Sequence, residues 1–209
     1  MLPAAEAKPS GPEPTMIEIT ATPPAEAEEA PAADHAPEEP RTLFRLYFVR
    51  HAPAGSAEDW PGDDAERPLT DKGRQSARKG GKGLRKLVGT PDAILTSPYA
   101  RAQETAQIVA KGLHFEGQVQ TNDHLVHGGR PEMLAQILAD HAGEKDVLLV
   151  GHSPDLERWI AALTLGHESP SFLELKKGGV CRVDVTTLEP EPRGIVRWVV
   201  TPAILRELD

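Results

Sequence analysis

The chain has 209 residues, a formal charge of −9 and only 4% aromatic residues. That length is enough for one ordinary domain with its own hydrophobic core. The sequence contains one cysteine, Cys181, which excludes an intrachain disulfide framework and fits a reducing compartment. Because Cys181 lies in an apolar, alternating stretch, we interpret it as a small core residue rather than a nucleophile.

No segment of the sequence has the features of a membrane span or a targeting signal. The apolar runs are far shorter than the ~18 residues that a transmembrane helix needs. The N-terminus is acidic and lacks the basic and apolar regions of a secretory signal, and its acidity also disfavours a transit peptide. The sequence therefore predicts a cytoplasmic protein with no membrane partner.

The first 41 residues differ in composition from the rest of the chain. They contain nine acidic side chains, two basic ones and nine prolines, but no aromatic residue. Such a segment cannot bury enough apolar surface to offset the entropy lost on ordering, so residues 1–42 are predicted to be a disordered acidic tail. The residues after 41 carry a formal charge of only −2, which does not indicate a nucleic-acid partner.

Apolar segments begin at residue 43 and alternate with amphipathic ones. Residues 44–49 are predicted to form a buried strand, and a helix follows with Thr70 as its N-cap. The buried face of this helix would contain four apolar residues: Ala77, Leu84, Leu87 and Val88. Three glycines within it indicate close packing against a sheet: Gly80, Gly81 and Gly83. Residues 92–96 are a second predicted strand, after which a helix begins with Ser97 as N-cap and Pro98 in its first turn.

The second half of the domain continues the alternation of strands and helices. We expect a short strand near residues 118–121, a helix over 131–141 and a strand at 146–150. The next helix would bury four apolar side chains: Leu156, Trp159, Ile160 and Leu163. Residues 180–186 and 195–201 are two late strands, interpreted as a hairpin near the sheet edge. These elements predict an α/β domain over residues 43–209, with a mostly parallel sheet and helices on both faces.

Three of the predicted strands end in polar turns that carry ionisable side chains. The turns lie at residues 50–52 (RHA), 96–101 (TSPYAR) and 151–154 (GHSP). Ligands of open α/β sheets bind at the carboxyl ends of the strands, so we expect the three turns to converge. Two of them begin a helix with Ser-Pro, which would leave unpaired N–H groups facing the same place.

The side chains in these turns suit a tetrahedral oxyanion. Arg50 and Arg101 offer forked donors with a permanent charge. His51 and His152 can donate hydrogen bonds, and a histidine beside a phosphoryl group can attack it. We therefore predict phosphoryl transfer at this site. No metal ion or cofactor is expected, because the sequence has no His-Cys cluster or paired-carboxylate motif.

The three turns resemble the signature motifs of the histidine phosphatase superfamily, the phosphoglycerate-mutase-like group. Within this superfamily, residues 50–55 (RHAPAG), 67–77 (RPLTDKGRQSA) and 97–106 (SPYARAQETA) most resemble the small SixA-type phosphohistidine phosphatases. The resemblance covers about residues 46–166, with the motifs in the expected order. It implies a phosphoglycerate-mutase-like three-layer sandwich, and a metal-independent phosphatase that works without a cofactor.

The resemblance also implies a role for each side chain of the site. His51 would attack phosphorus and become phosphohistidine, and water would then hydrolyse this intermediate. Arg50 and Arg101 would hold the phosphoryl oxygens. His152 would donate a hydrogen bond to them, and Ser153 would help to bind the substrate. We expect the guanidinium charges to lower the pKa of His51, and a backbone carbonyl to accept a hydrogen bond from its second ring nitrogen.

Two positions depart from the family pattern. Ala52 stands where the motif usually has glycine, and it would be strained if the backbone there required a glycine-only angle. Many relatives place a glutamate after the third strand as general acid, but residues 124–132 offer no clear match. Glu132 is predicted to cap the following helix, which leaves His127 as the better alternative acid. A site poor in acids suits phosphohistidine, because imidazole leaves readily when its second nitrogen carries a proton.

The favoured function is therefore removal of the phosphoryl group from phosphohistidine on a phosphorelay protein. A phosphatase of small phosphorylated metabolites is an alternative of the same chemistry, and a catalytically idle phosphate-binding module is an alternative of another class. The carboxylates between residues 58 and 66 are predicted to be a solvated surface or, as an alternative, a rim that repels anionic metabolites. They are Glu58, Asp59, Asp63, Asp64 and Glu66. The sequence leaves the oligomeric state open.

Overall fold

A computed structural model of the chain describes residues 40–169 and 171–209. These residues belong to one compact unit that extends from residue 39 to residue 209. The predicted acidic tail, residues 1–42, lies almost entirely outside the described residues, so its disorder and the domain boundary at residue 43 stay predictions. Within the described ranges, no helix is both long and apolar enough to cross a membrane.

The central layer of the described structure is a single β-sheet. Its strands are β1 (Phe44–Arg50), β2 (Ala93–Thr96), β3 (Gln120–Thr121), β4 (Asp146–Gly151), β5 (Val180–Thr187) and β6 (Arg193–Val200). They are arranged in the order β3-β2-β4-β1-β5-β6. The first four strands in this order are parallel, whereas β5 and β6 are antiparallel to their neighbours. The prediction of an α/β fold with a mostly parallel sheet is therefore confirmed.

Helices cover both faces of this sheet. They are α1 (Asp71–Val88), α2 (Ala100–Leu113), α3 (Met133–Asp140), α4 (Asp155–Leu165) and α5 (Pro202–Glu207). Successive side chains of a strand point to opposite faces. From β1, Leu46 and Phe48 join the core formed with α3 and α4, while Tyr47 and Val49 join the core formed with α1, α2 and α5. This arrangement confirms the predicted three-layer sandwich.

Helix α1 begins where the sequence predicts. The Thr70 hydroxyl accepts a 3.0 Å hydrogen bond from the Gly73 N–H and so caps the helix. Ala77 and Leu84 are buried as predicted. Leu87 is 39% exposed, so its assignment to the buried face is wrong, and the buried stripe is completed by glycines instead.

The glycines of α1 allow close packing of helices rather than packing on the sheet, which corrects the sequence prediction. A Cβ on Gly81 would lie 3.1 Å from the Cα of Val109 in α2. A Cβ on Gly83 would lie 1.8 Å from the Leu205 carbonyl oxygen in α5. Larger residues would therefore force α2 or α5 away from α1.

The Ser-Pro pairs do not start helices α2 and α4 in the predicted way. Helix α2 begins at Ala100, three residues after Ser97, and α4 begins at Asp155 with Pro154 in the N-cap position. The Ser97 hydroxyl lies 2.9 Å from His152 Nε2 and is therefore engaged elsewhere. Local capping patterns could not reveal this, because the competing partner is 55 residues away in the chain.

Helix α5 is absent from the sequence prediction, although local signals for it exist. Thr201 occupies the N-cap position and its hydroxyl accepts from the Ile204 N–H. Pro202 follows in the first turn, where proline favours a helix start. The predicted strand over 195–201 is correspondingly shorter at its end, since β6 stops at Val200.

The late hairpin brings a further segment to the end of the parallel strands. Strands β5 and β6 pair antiparallel, as predicted, and β6 lies at the sheet edge. Because β5 is also antiparallel to β1, Val180 at its start lies opposite Val49 near the end of β1. The residues that precede β5 therefore reach the edge of the sheet where β1, β2 and β4 end.

Cys181 lies in the core, as its surroundings in the sequence indicate. Its side chain is fully buried within β5. Burial raises the pKa of the thiol to about 12. The neutral thiol is a poor nucleophile, so the interpretation of Cys181 as a packing residue is confirmed.

Candidate active site

The structure brings the three polar turns together at one edge of the sheet. Strands β2, β4 and β1 are adjacent, with Arg50 paired to Gly151 and Thr96 to Val150. The backbone continues this register beyond the strands, because the N–H of His51 donates to the Gly151 carbonyl at 3.0 Å. The predicted convergence follows from this register.

His51 is held with one ring nitrogen committed to the backbone. It is 6% exposed, and its Nδ1 lies 2.7 Å from the Ala52 carbonyl oxygen. A carbonyl only accepts hydrogen bonds, so Nδ1 carries the proton and Nε2 keeps its lone pair. Burial lowers the pKa of His51 to about 3, and the charges of Arg101 and Arg50 act in the same direction. The imidazole is therefore neutral at pH 7.

His152 is placed to donate from its free ring nitrogen. It is 1% exposed, its ring centroid lies 5.2 Å from that of His51, and its Nε2 lies 2.9 Å from Ser97 Oγ. A hydroxyl can donate to an unprotonated ring nitrogen, and we assign the Ser97 proton to this contact with His152 Nε2. This leaves the imidazole proton on Nδ1, which is buried and has no partner among the described residues. Burial lowers the pKa of His152 to about 2.

The two arginines are each anchored by a backbone carbonyl. Arg50 Nη1 donates to the Leu175 carbonyl at 2.6 Å, and Arg101 Nη1 donates to the Asp64 carbonyl at 2.7 Å. In both guanidinium groups Nε is buried without a partner among the described residues. Together with His152 Nδ1, these are three buried N–H donors without acceptors. Unpaired buried donors are unfavourable, and the oxygens of a phosphoryl group are acceptors that fit this set.

Comparison with known proteins agrees with this geometry. Residues 46–127 match the sequence model of the histidine phosphatase superfamily (branch 1). A phosphohistidine phosphatase SixA homolog of Haemophilus influenzae is 30% identical over 131 residues, which cover 57% of this chain and 77% of that protein. The chain belongs to the histidine phosphatase superfamily. It is therefore a phosphatase, and the prediction of a phosphohydrolase is confirmed.

Two further comparisons extend over most of this histidine phosphatase. The phosphohistidine phosphatase SixA of Escherichia coli is 24% identical over 165 residues, covering 78% of this chain and 97% of that protein. A solved structure of the protein histidine phosphatase SixA complexed with tungstate superposes with a TM-score of 0.67 at 24% identity, over 78% of this chain and 99% of that one. The structural likeness confirms the phosphoglycerate-mutase-like fold.

The acidic loop of this histidine phosphatase contributes a carboxylate to the site. Asp64 Oδ2 lies 3.0 Å from Arg101 Nη2, and Asp64 Oδ1 accepts from Arg67 Nε at 2.8 Å. The hydrogen bond from Arg67 lowers the pKa of Asp64. Glu58 and Asp63 are exposed, and the Asp64 side chain is 45% exposed while it pairs with Arg67 and Arg101. Because Arg67 and Arg101 offset the negative charge of Asp64, this residue contributes little to the alternative of a rim that repels anionic metabolites.

Lys177 is a cation near the site that sequence reasoning missed. It precedes Gly178, whose N–H donates to the carbonyls of both Arg50 and His51 at 3.0 and 3.1 Å. Partial desolvation lowers the pKa of Lys177, although the residue is exposed, and the charges of Arg50, Arg67 and Arg101 act in the same direction. The signal in the sequence was the glycine pair that follows Lys177 at 178–179, which is typical of a tight turn. In the structure Gly178 has a φ of +84°, a conformation that favours glycine.

His127 reaches the same pocket. Its Nδ1 donates to Asp155 Oδ2 at 3.1 Å, and its Nε2 lies 3.3 Å from Arg101 Nη2. Its ring centroid is 4.3 Å from that of His152. The Asp155 carboxylate sits in the first turn of α4, near the positive end of the helix dipole.

Two of the predicted site residues have other contacts. Glu132 occupies the N-cap position of α3 but makes no side-chain capping bond, and it lines a separate cavity with Leu134 and Trp159. Its predicted position at the start of the helix is therefore confirmed, but its side chain does not cap the helix, and none of its described contacts connects it to His51. The Ser153 hydroxyl donates to Glu157 Oε1 at 2.6 Å. The hydroxyl is thus committed to Glu157, and the assignment of Ser153 to substrate binding stays a prediction.

Ala52 replaces the usual glycine without strain. Among the described non-glycine residues, only His114 has a positive φ. Ala52 is fully buried, and its N–H donates to Thr105 Oγ1 at 3.0 Å. The backbone at this position therefore accepts alanine, and the strain considered from the sequence is absent.

The buried neutral histidines predict a loss of stability in acid. The pKa of histidine in an unfolded chain is about 6.5, whereas burial lowers the pKa of His51 to about 3. Between these values only the unfolded chain binds the proton, so stability falls as the pH falls through this window. We expect His51→Asn to reduce the loss of unfolding free energy between pH 7.5 and 5.0 by about 2 kcal/mol, measured by urea denaturation.

The exposed His167 provides the matched control for this measurement. His167→Asn should leave the pH dependence of the wild-type protein unchanged. An equal pH dependence for His51→Asn and the wild-type protein would show that His51 has the same pKa in the folded and unfolded states.

Proposed function

We propose that this phosphatase removes the phosphoryl group from phosphohistidine on a phosphorelay protein, through a covalent intermediate on His51. The observation that carries the proposal is the hydrogen bond from His51 Nδ1 to the Ala52 carbonyl. This bond commits one ring nitrogen and leaves Nε2 as a neutral nucleophile beside the three unpaired buried donors. Such an arrangement activates histidine without a separate base.

In the first step the phosphoryl group transfers to the enzyme. Its oxygens accept from the Nε groups of Arg50 and Arg101 and from Nδ1 of His152. His51 Nε2 attacks phosphorus as the bond to the substrate nitrogen breaks, and the bonding electrons stay on that nitrogen. Because the other nitrogen of the substrate ring carries a proton, the leaving group is neutral imidazole. The same donors stabilise the charge that develops on the phosphoryl oxygens.

In the second step water hydrolyses the intermediate. It takes the place of the departed imidazole and attacks phosphorus from the side opposite His51. The bond between phosphorus and Nε2 breaks, and His51 returns to its neutral form with its proton still on Nδ1. The proton lost by water passes to the phosphate product.

The carboxylates near the pocket support phosphohistidine as the substrate. Asp64 is ion-paired with Arg101, and Asp155 accepts a hydrogen bond from His127. Neither carboxylate is free to protonate a leaving group. A phosphoester needs such a proton more than phosphohistidine does, because an alkoxide is a poorer leaving group than imidazole. The SixA relatives are named as phosphohistidine phosphatases, which supports the same choice.

A small phosphorylated metabolite is the second candidate substrate, and His127 favours it. Its contact with Asp155 fixes Nδ1 as the donor, and Nε2 lies close to Arg101 at the phosphoryl pocket. Once protonated on Nε2, His127 is placed to give a proton to an alkoxide. It is therefore the candidate general acid for ester substrates.

A side-by-side assay separates these candidates. The full chain is incubated with a phosphohistidine protein, and separately with phosphoserine and a panel of sugar phosphates. We expect kcat/KM for the phosphohistidine protein to exceed that for the esters by about 100-fold or more, the range that a general acid contributes. His127→Gln should lower the residual ester activity while leaving phosphohistidine cleavage within about threefold of wild type.

The reverse preference would reject the phosphohistidine assignment. Efficient cleavage of one sugar phosphate, lost in His127→Gln, would identify a metabolite phosphatase with His127 as its acid. His141→Gln is the matched control, since His141 pairs with Glu144 next to α3 and has no described contact with the pocket.

A further inference from the structure

A buried glutamate in the first turn of α4 joins two segments of the site. Glu157 is 3% exposed. Its Oε1 accepts hydrogen bonds from the Ser153 hydroxyl at 2.6 Å and from the Leu175 N–H at 3.1 Å. Its Oε2 is buried and has no partner among the described residues. The carboxylate thus connects the turn after β4 to the segment that precedes β5.

Both connected segments hold groups of the phosphoryl pocket. The Leu175 carbonyl accepts from Arg50 Nη1 at 2.6 Å, and Leu175 is itself fully buried. On the other side, Ser153 directly follows His152 in the chain. Glu157 is therefore linked to Arg50 through one residue. Nε of the same guanidinium group is a buried donor without a partner among the described residues.

Packing alone does not account for a carboxylate at this position. Burying a charged group is unfavourable, and more so when one of its oxygens lacks a hydrogen bond. An apolar side chain of similar size would fill the space without that penalty. What an apolar side chain cannot do is accept the two hydrogen bonds that hold Leu175 and the turn after β4 in register.

We propose that Glu157 is a positioning residue for Arg50. It fixes the Leu175 carbonyl, and this carbonyl orients the guanidinium group so that Nε faces the phosphoryl oxygens. Glu157 touches neither the substrate nor His51 in this mechanism. The inference rests on the proposed role of Arg50 in phosphoryl binding, and the experiment below tests the two separately.

Two substitutions distinguish the hydrogen bonds of Glu157 from its charge and volume. Glu157→Gln keeps an acceptor oxygen for Ser153 and Leu175, so we expect kcat/KM within about threefold of wild type. Glu157→Met fills a similar volume but accepts neither bond. We expect it to lower kcat/KM for an aryl phosphate by about 10- to 100-fold, as small misplacements of binding groups do. The affinity for inorganic tungstate, measured by calorimetry, should fall by a comparable factor.

The matched control is Glu174→Gln in the neighbouring position of the same segment. Glu174 is an exposed carboxylate whose hydrogen bond goes to Lys176 rather than to the backbone. The hydrogen bond from Lys176 and its charge lower the pKa of Glu174 most, and the positive charge of Arg50 lowers it further. Glu174 is therefore a second carboxylate within electrostatic reach of Arg50. If Glu174→Gln has the kcat/KM of the wild-type enzyme, loss of a carboxylate near Arg50 does not by itself explain the lower activity of Glu157→Met.

A double-mutant cycle with Arg50→Ala decides whether Glu157 acts through Arg50. If it does, Glu157→Met should change kcat/KM by less than about twofold once Arg50 is absent. If Glu157→Met lowered kcat/KM by the same factor with and without Arg50, the two effects would be independent, and the inference would be overturned. Should Glu157→Met fail to fold, Glu157→Asp, which withdraws the carboxylate by one methylene, carries the same expectation. Full activity of Arg50→Ala would instead reject the proposed role of Arg50.

Discussion

His51→Asn is expected to lower kcat by about 10³-fold or more, as loss of a covalent nucleophile does in other enzymes. Asparagine has no ring nitrogen that can form the phosphorylated intermediate. The pocket would otherwise persist, because the three unpaired donors belong to Arg50, Arg101 and His152. We therefore expect tungstate to bind His51→Asn with an affinity within about tenfold of wild type.

Trapping of the intermediate provides the second measurement for this variant. Wild-type enzyme that is quenched in base during turnover of a radiolabelled substrate should carry the label on His51. His51→Asn should carry none, and His167→Asn, an exposed surface control, should behave as wild type. Turnover by His51→Asn at the wild-type rate, or label on another residue, would remove His51 from the proposed mechanism.

Arg101→Ala is expected to lower kcat/KM by about 10²- to 10³-fold, the effect of removing one donor from an oxyanion site. Arg101 is 1% exposed and anchored on the Asp64 carbonyl, so its position is closely defined. Arg101→Lys keeps the charge but loses the forked geometry, and Nε of arginine has no counterpart in lysine. We therefore expect the lysine variant to recover only a small part of the lost activity.

Arg74→Ala is the control for this experiment. Arg74 bridges α1 to α2 through Glu104, near the surface of the molecule. Its loss should leave kcat/KM within about twofold of wild type, because surface ion pairs contribute little. Thermal unfolding of each variant should be recorded beside the kinetics. Activity that falls equally in Arg74→Ala and Arg101→Ala would mean that folding, and not phosphoryl binding, was measured.

The four residues at the centre of the site could be found from the sequence because their positions follow from local patterns. An apolar run predicts a buried strand, and the polar residues directly after it must lie at the carboxyl end of that strand. In a parallel sheet those ends share one edge. His51 and His152 are adjacent in space for this reason, although they are about a hundred residues apart.

The errors of the sequence prediction have a common physical origin. Ser97 was expected to cap a helix, but its hydroxyl contacts His152, which lies 55 residues further along the chain. The glycines of α1 indicated close packing correctly, yet the partner is a helix and not the sheet. In each case the residue type indicates the kind of contact, while the partner depends on which elements meet.

By itself, the sequence determined the α/β class, the order of the elements and the residues that end the three parallel strands. These features depend on hydrophobic periodicity and on residues that are neighbours in the chain. Only the tertiary structure decided that Asp64 pairs with Arg101, that Lys177 stands near the pocket, and that Glu157 holds the anchor of Arg50. Asp64 and Lys177 lie on segments that reach the site from elsewhere in the fold, and Glu157 contacts one of these segments through Leu175. Periodicity shows which face of an element is buried, but contacts between distant segments depend on the antiparallel course of β5 and on the packing of the loops.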